Sequence, residues 1–487
     1  MKSPFDRKAG KIETDSFDVP LCVDLDGTLI RSDLLLESLL ILLKESPWIF
    51  FLLPIWLLEG KANFKTKIAD RVEIGVETLP FNMEFISYLT SQKEAGRTLI
   101  LVTASHKKFA QKVSEHLGLF SEVFATENTV NLSGVNKRDL LVSRFGEKGF
   151  DYAGNAFVDL KVWKVAREAI VVNAPTNIRQ KAEQESHVAQ IFTSPPVTFR
   201  LFFRALRVHQ WAKNILIFVL LLAAHRATDP VLLGKDLLAF VAFCLCASTV
   251  YILNDLLDLS SDRQHPKKRH RPFAAGYLPI SAGLLVSPVL IFLAFAMGLI
   301  VNYEFILVLG VYFVFTLGYS FWAKRIMILD IIVLAILYTL RIIAGGAAAS
   351  IPPSFWLLAF SVFFFLSLAM VKRYSELLVM KRLGQITAHG RGYHTEDFPV
   401  ILSLGAASGY AAVLVLSLYI NSPEVRSLYR HPEILWTLIP ILLFWTSRIW
   451  LITHRGEMHD DPVIFAIKDK ISLLLIPLLG LIVFGAM

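Results

Sequence analysis

"YILNDLLDLSSDRQHPKKRHRPFAAG" occupies Tyr251–Gly276, directly after an apolar run long enough to cross a bilayer. Its first half is acidic and its second half basic. Asn254, Asp258 and Asp262 recur at i, i+4 and i+8, so in a helix they share one face, which Asp255 flanks. Ionised carboxylates crowded at a helix end repel one another unless a divalent cation bridges them. Mg²⁺ takes oxygen ligands and keeps phosphate oxygens in its shell. The acidic face is therefore a candidate diphosphate–Mg²⁺ site, with Asp255, Asp258 and Asp262 as metal ligands. Arg263, Lys267, Lys268, Arg269 and Arg271 would clamp phosphate oxygens, the arginines bidentately. A solvated loop accounts for the basic run alone. It leaves the carboxylates unexplained, because acidic side chains at the end of a span are costly.

Working outward, 54% of the 487 residues are hydrophobic, too many for a soluble enzyme of this length. The apolar runs begin near Phe199. With ~20 residues per crossing, they give nine candidate spans, at about 207–225, 232–253, 280–301, 303–320, 328–348, 354–371, 398–420, 434–453 and 471–486. The first twenty residues contain no apolar stretch, so no cleavable signal peptide is expected and the count starts in the cytoplasm. The loops at 254–279, 321–327, 372–397 and 453–470 then fall inside, and they hold Lys324, Lys372, Arg373, Arg391 and most other loop cations. The outer loops hold few: Arg226, Lys235, Arg426 and Arg430. This is the positive-inside pattern, and it also accounts for the net charge of +8. The expected location is a plasma (inner) membrane, with every charged motif on the cytoplasmic side. No basic stripe is interleaved with exposed aromatics, which argues against nucleic acid as a partner. Cys22, Cys244 and Cys246 lack metal-ligand spacing.

Before Phe199 the chain reads as a soluble domain. "PLCVDLDGTLI" (Pro20–Ile30), "RTLILVTAS" (Arg97–Ser105) and "FDYAGNAFVDLKVW" (Phe150–Trp163) are short apolar strands ending in polar residues. Alternation with amphipathic helices predicts a parallel α/β sheet, with its site at the C-terminal strand ends. Asp24 would attack phosphorus and form an aspartyl-phosphate. Asp26 would protonate the leaving alcohol and then activate water. Mg²⁺ would be held by Asp24, Asp26 and Asp159, while Thr103 and Lys137 hold the phosphoryl oxygens. "LLLESLLILLKESPWIFFLLPIWLLEG" (Leu34–Gly60) is interrupted by Glu37, Lys44, Glu45, Pro47 and Pro54. It is expected to form a helical cap that rests on the bilayer surface, or else a re-entrant pair. The Asp-Leu-Asp-Gly-Thr string in this context resembles the haloacid dehalogenase superfamily over about residues 18–185. That resemblance implies a Rossmann-like phosphatase domain with a helical cap. Asn155 stands where the family has Asp, so a retained scaffold with little turnover is the competing reading. The Pro195–Pro196 pair marks the linker, giving domains 1–195 and 196–487. The basic stretch Phe199–Asn214 follows as a membrane-surface helix.

The pattern Asn-Asp-x-x-Asp-x-x-x-Asp after a span resembles the UbiA superfamily of intramembrane transferases, from about Phe199 to the end. The resemblance implies an all-α bundle of nine transmembrane helices that uses Mg²⁺. The family's second acidic motif is incomplete: Asp330 is present, but Leu334 stands four residues on. "DRQHPKKRHRP" (Asp262–Pro272), "VKRYSEL" (Val371–Leu377) and "HRGEMHDDPVIFAIKDK" (His454–Lys470) resemble the decaprenyl-phosphate phosphoribosyltransferase branch. That branch implies transfer of phosphoribose from 5-phosphoribose 1-diphosphate to a polyprenyl phosphate. Three anionic groups then need Lys324, Arg341, Lys372 and Arg373 beside the basic run, with Asn254 and Asp330 as further substrate contacts. Arg341, inside a span, calls for an anionic substrate or a protein carboxylate as partner. Asp460 and Asp461 are secondary candidates, and Glu376 would orient Arg373. The fused phosphatase would remove the product's 5′-phosphate. The alternative is a prenyltransferase that moves a prenyl group from its diphosphate to an aromatic acceptor. A transporter is disfavoured by the lack of inverted repeats.

Overall fold

A computed structural model of the chain describes residues 18–127, 130–193, 198–382, 384, 392–458 and 461–487. Pro195–Pro196, Arg391 and Asp460 lie outside them. The described chain forms two compact units. One runs to Ala205 and takes in Leu253–Leu285; the other comprises Leu206–Ile252 with Val286–Met487.

The first unit is built on six parallel strands: β1 (Leu21–Val23), β2 (Leu99–His106), β3 (Glu122–Thr126), β4 (Asp151–Gly154), β5 (Ala169–Val172) and β6 (Val188–Phe192). Their order is β3-β2-β1-β4-β5-β6, each pair parallel. Side chains alternate between two cores. Leu21, Val23, Leu99, Leu101, Ile170 and Val172 face one layer; Cys22, Ile100, Val102, Tyr152 and Val171 face the other. A sheet buried on both faces needs apolar residues at every strand position, which is why these strands read as continuous apolar runs. The strand order turns at β1, so the crevice beyond its C-terminal end is the ligand position for this topology.

The Leu34–Gly60 segment folds as the Leu34–Glu45 helix, a 3₁₀ turn at Pro47–Phe51 and a short Leu53–Leu58 helix. Asp33 caps the first helix by accepting from the Leu36 amide at 3.0 Å. The two prolines sit at the starts of the second and third pieces, where a missing N–H costs nothing. Ile49 and Trp56 are buried in the core, whereas Trp48, Phe51 and Leu58 are exposed. Helices of 12 and 6 residues are too short to span, against the ~20 residues a crossing needs.

The rest of the chain is helical. Among the described residues seven helices are long and apolar enough to cross a membrane, or up to nine if two bent pairs each count as one span. The bent pairs are the first and last of the nine expected spans. Phe199–Leu206 meets Val208–Ala223 at 48°, and Pro462–Lys468 meets Lys470–Ala486 at 84°. Arg207, with φ +52°, breaks the first pair, and extended Asp469 breaks the second. In the second unit a Cβ added at Gly345 would lie 1.8 Å from the Ile217 carbonyl oxygen, so the Leu329–Ala349 helix packs backbone against backbone there.

Candidate functional site

In the first unit, a cavity of about 430 Å³ opens at the C-terminal edge of the sheet, lined in part by Asp24, Asp26, Lys65, Ser105, Lys137 and Asn155. The Asp24 amide donates to the Ala153 carbonyl at 3.0 Å, which fixes the chain as it leaves β1. The turn that follows needs glycine. Gly27 has φ +74°, and a Cβ there would lie 2.0 Å from Asn155 Nδ2. Lys137 Nζ donates to Asp24 Oδ1 at 2.8 Å and to the Tyr152 hydroxyl at 2.7 Å. Asp26 accepts from the Leu34 amide at 2.8 Å and from Ser105 Oγ at 2.5 Å. Burial raises Asp24 to about 6, opposed by Lys137. Burial, helped by the Asp33 charge, raises Asp26 to about 7. Burial works against the Lys137 ammonium, but Asp24 and Asp159 outweigh it and its pKa rises. Asp24 and Asp26 thus differ in environment, as a nucleophile and a proton donor must.

Two expected members of this site sit differently. Thr103 is fully buried and its hydroxyl accepts from the Ser105 amide at 3.0 Å; Ser105, not Thr103, lines the cavity. Asp159 accepts from Tyr152 at 2.9 Å and from the Asn155 and Ala156 amides at 3.1 and 2.9 Å. Its oxygens are engaged in holding the loop after β4, so Asp24, Asp26 and Asp159 are not arranged here as a metal sphere. Among the described residues no three acidic, histidine or cysteine side chains gather as metal ligands.

The segment Leu253–Leu285 belongs to the same unit. The helix ending at Leu257 is separated from the Leu259–Gln264 helix by Asp258, with φ −105° and ψ 14°. The break changes which carboxylates meet. Arg271 Nη1 donates to Asp255 Oδ1 at 3.1 Å and to Asp262 Oδ2 at 2.5 Å, joining residues seven apart. Asp258 instead pairs with Lys44 at 2.7 Å, and Asn254 is partly buried beside them in sequence. Two carboxylate oxygens converging on one cationic nitrogen form a donor set that fits a hard cation. Arg263 is committed elsewhere. It holds Glu37 through two bonds of 2.8 and 2.7 Å, and its Nε donates to the Ala274 carbonyl at 2.9 Å. Lys267 and Arg269 are exposed. Glu37 and Lys44 looked in the sequence like mere interruptions of an apolar run; their partners are more than 200 residues away, and no local pattern announces them.

In the second unit, Asp461 receives Lys213 at 2.6 Å, Lys372 at 3.4 Å and the Tyr338 hydroxyl at 3.2 Å. The Arg341 guanidinium lies 5.3 Å from the centre of the Tyr338 ring and 5.0 Å from that of Tyr312. It donates to Asn214 Oδ1 at 2.8 Å and to the Tyr312 hydroxyl at 3.0 Å. Arg341 is 5% exposed, yet among the described residues no carboxylate pairs with it. Lys213 and the partly exposed Lys372 thus share one carboxylate, and buried Arg341 has none among the described residues. Lys213, which sequence reasoning had left inside a surface helix, is central to this group. Asp330 and Arg373 form a separate buried pair, flanked by Tyr393 and Glu376. They neutralise each other. Lys324 sits in the short turn Ala323–Arg325.

Seven to nine apolar helices that enclose ionic groups define an integral, multi-pass membrane protein. The chain belongs to the UbiA prenyltransferase family, whose model matches residues 215–467. An uncharacterized protein of Sinorhizobium fredii, y4nM, is 37% identical over 467 residues, 95% of this chain and 90% of that protein. The decaprenyl-phosphate phosphoribosyltransferase of Mycobacterium tuberculosis is 31% identical over 290 residues, 58% of this chain and 94% of that protein. A solved UbiA homolog from Archaeoglobus fulgidus, bound to GPP and Mg²⁺, has a TM-score of 0.45 at 15% identity, covering 58% of this chain and 99% of that one.

Proposed function

We propose that this protein transfers phosphoribose from 5-phosphoribose 1-diphosphate to a polyprenyl phosphate. The N-terminal part, about residues 1–195, is in this reading a haloacid dehalogenase-like phosphohydrolase that removes the 5′-phosphate of the product. The transferase part is about 196–487, with both sites on the cytoplasmic side of an inner membrane. The observation that carries the transfer reading is the group Lys213, Arg341 and Lys372, in which, among the described residues, Asp461 is the one paired carboxylate and bonds only the two lysines. Cations in such excess, Lys213 and Arg341 buried among them, call for anionic ligands, and this reaction brings a diphosphate, a sugar phosphate and a lipid phosphate. The 31% identity to a phosphoribosyltransferase supports the same donor. Asp255 and Asp262, the two carboxylates that meet, would hold Mg²⁺, which when bound neutralises diphosphate charge. The lipid phosphate oxygen forms the new bond at the sugar C1 as the diphosphate leaves. In the sheet unit, Asp24 takes the phosphoryl group while Asp26 passes its proton to the departing sugar oxygen. Asp26 then draws a proton from the water that frees inorganic phosphate.

The second reading, prenyl transfer to an aromatic acceptor, is favoured by the family itself. Leu334 in place of a second aspartate weighs against it. The deciding experiment supplies purified full-length protein and Mg²⁺ with either radiolabelled phosphoribosyl diphosphate and a polyprenyl phosphate, or a prenyl diphosphate and an aromatic acid. Lipid-linked pentose is expected, and none from the Asp255→Ala/Asp258→Ala variant. Labelled prenyl product alone, or an unimpaired variant, would overturn the transfer reading.

A further inference from the structure

The cavity at the sheet edge has a feature the phosphatase chemistry does not use. Three cations line it: Lys137, Lys65 and Arg31. Lys137 is held by Asp24 and Tyr152. Lys65 donates to the Ala104 carbonyl at 2.6 Å and to Asn131 Oδ1 at 2.7 Å. Arg31 has no such partner. Among the described residues its side chain makes no hydrogen bond or ion pair, and its Nε is buried and unsatisfied. Its guanidinium rests only against the Tyr277 ring, 5.9 Å from the centroid.

The backbone around Arg31 is nevertheless fixed. Its amide donates to the Pro80 carbonyl at 2.9 Å. Gly276, at φ +70°, lies so close that a Cβ there would be 2.6 Å from Arg31 Cβ. Pro279, Ile280 and Ser281, which follow the basic run, also line the cavity. A buried donor left unpaired costs about 1–3 kcal/mol, and a ligand that satisfies it recovers that. An arginine fork suits a phosphate oxygen pair.

We propose that Arg31 is the second anion subsite of the Asp24–Asp26 cavity, so that the preferred substrate is a sugar phosphomonoester carrying another phosphate group at its far end. This deepens the phosphatase reading and rests on it. The product of the proposed transfer has that form: a pentose with a terminal monoester and a phosphodiester at C1. Leu36, Val158 and Ile280 supply the apolar wall along which the first carbons of a lipid chain would lie.

The test uses the full-length protein in detergent and two probes, ribose 5-phosphate and a short-chain alkyl phosphodiester of ribose 5-phosphate. In the wild type, kcat/KM for phosphate release is expected to favour the diester probe by about tenfold to a hundredfold, the worth of one charge-assisted contact. Arg31→Gln should raise KM for the diester probe by that factor and leave ribose 5-phosphate turnover unchanged; Arg31→Lys should restore part of the preference. Equal losses on both probes, or no preference in the wild type, would overturn the subsite. Binding of the same probes to Asp24→Asn protein, with and without Arg31→Gln, separates the two claims. Arg31-dependent binding without wild-type turnover would sink the phosphatase and leave the subsite standing. Turnover with Arg31-independent binding would do the reverse.

Discussion

Replacing Glu37 with alanine should destabilise the sheet unit by several kcal/mol, because it strands the charge of Arg263. The two side chains are only 5% and 6% exposed and are joined by two short bonds. After the substitution Arg263 keeps only its bond to the Ala274 carbonyl. Removing one partner of a buried ion pair costs about 3–5 kcal/mol, whereas replacing both with apolar residues of similar size is often neutral. For a unit of this size each kcal/mol moves Tm by about 2–4 °C, so a fall of about 6–20 °C is expected. Scanning calorimetry of the purified full chain measures it. Hydrogen exchange at the amides of Leu34–Glu45 and Leu259–Gln264 shows where protection is lost. Glu37→Leu with Arg263→Met should recover most of the loss. A Glu37→Ala protein melting within about 2 °C of the wild type would refute the reasoning. It would mean that Arg263 is solvated and free, as the sequence alone suggested, to clamp a phosphate.

Three further outcomes follow. Phosphate release should have a narrow pH optimum, since Asp24 must be ionised and Asp26 protonated, with pKa values of about 6 and about 7. The limbs of a kcat/KM profile on p-nitrophenyl phosphate report the pair; at pH 8 roughly a tenth of Asp26 remains protonated, and a rate still rising there would refute the assignment. The same raised carboxyls bind protons more tightly in the folded state, so the stability they contribute is present at low pH and is lost as pH rises from about 4 to about 7. In the helical unit, Lys213→Met and Lys372→Met should each raise KM for the anionic donor about tenfold or more, with unaltered KM counting against the cluster as a binding site.

The alternating strands of the sheet unit, the Asp24 and Asp26 carboxylates at the cavity and the apolar spans were legible because each is a local property of a few consecutive residues. β3, β5 and β6 are short and carry no comparable motif, and their register beside β2, β4 and β5 in turn makes them strands. The carboxylates of Tyr251–Gly276 were legible as a group but not in their pairing. A single break at Asp258 replaced the expected face of Asn254, Asp258 and Asp262 with an Asp255–Asp262 pair closed by Arg271. Long-range partners were beyond reach for a different reason. Lys44 finds Asp258 and Lys213 finds Asp461 across more than 200 residues, and nothing in either neighbourhood specifies the other. Arg341 shows the limit from the opposite side. Its sequence position demanded an anion, and the fold gave it aromatic rings, Asn214 and backbone instead. A buried guanidinium held in place by neutral groups keeps its charge uncancelled. On the proposed reading, that residual charge would draw an anionic substrate to the helical unit more strongly than the basic loop would, since exposed loop cations such as Lys267 and Arg269 are screened by water and salt.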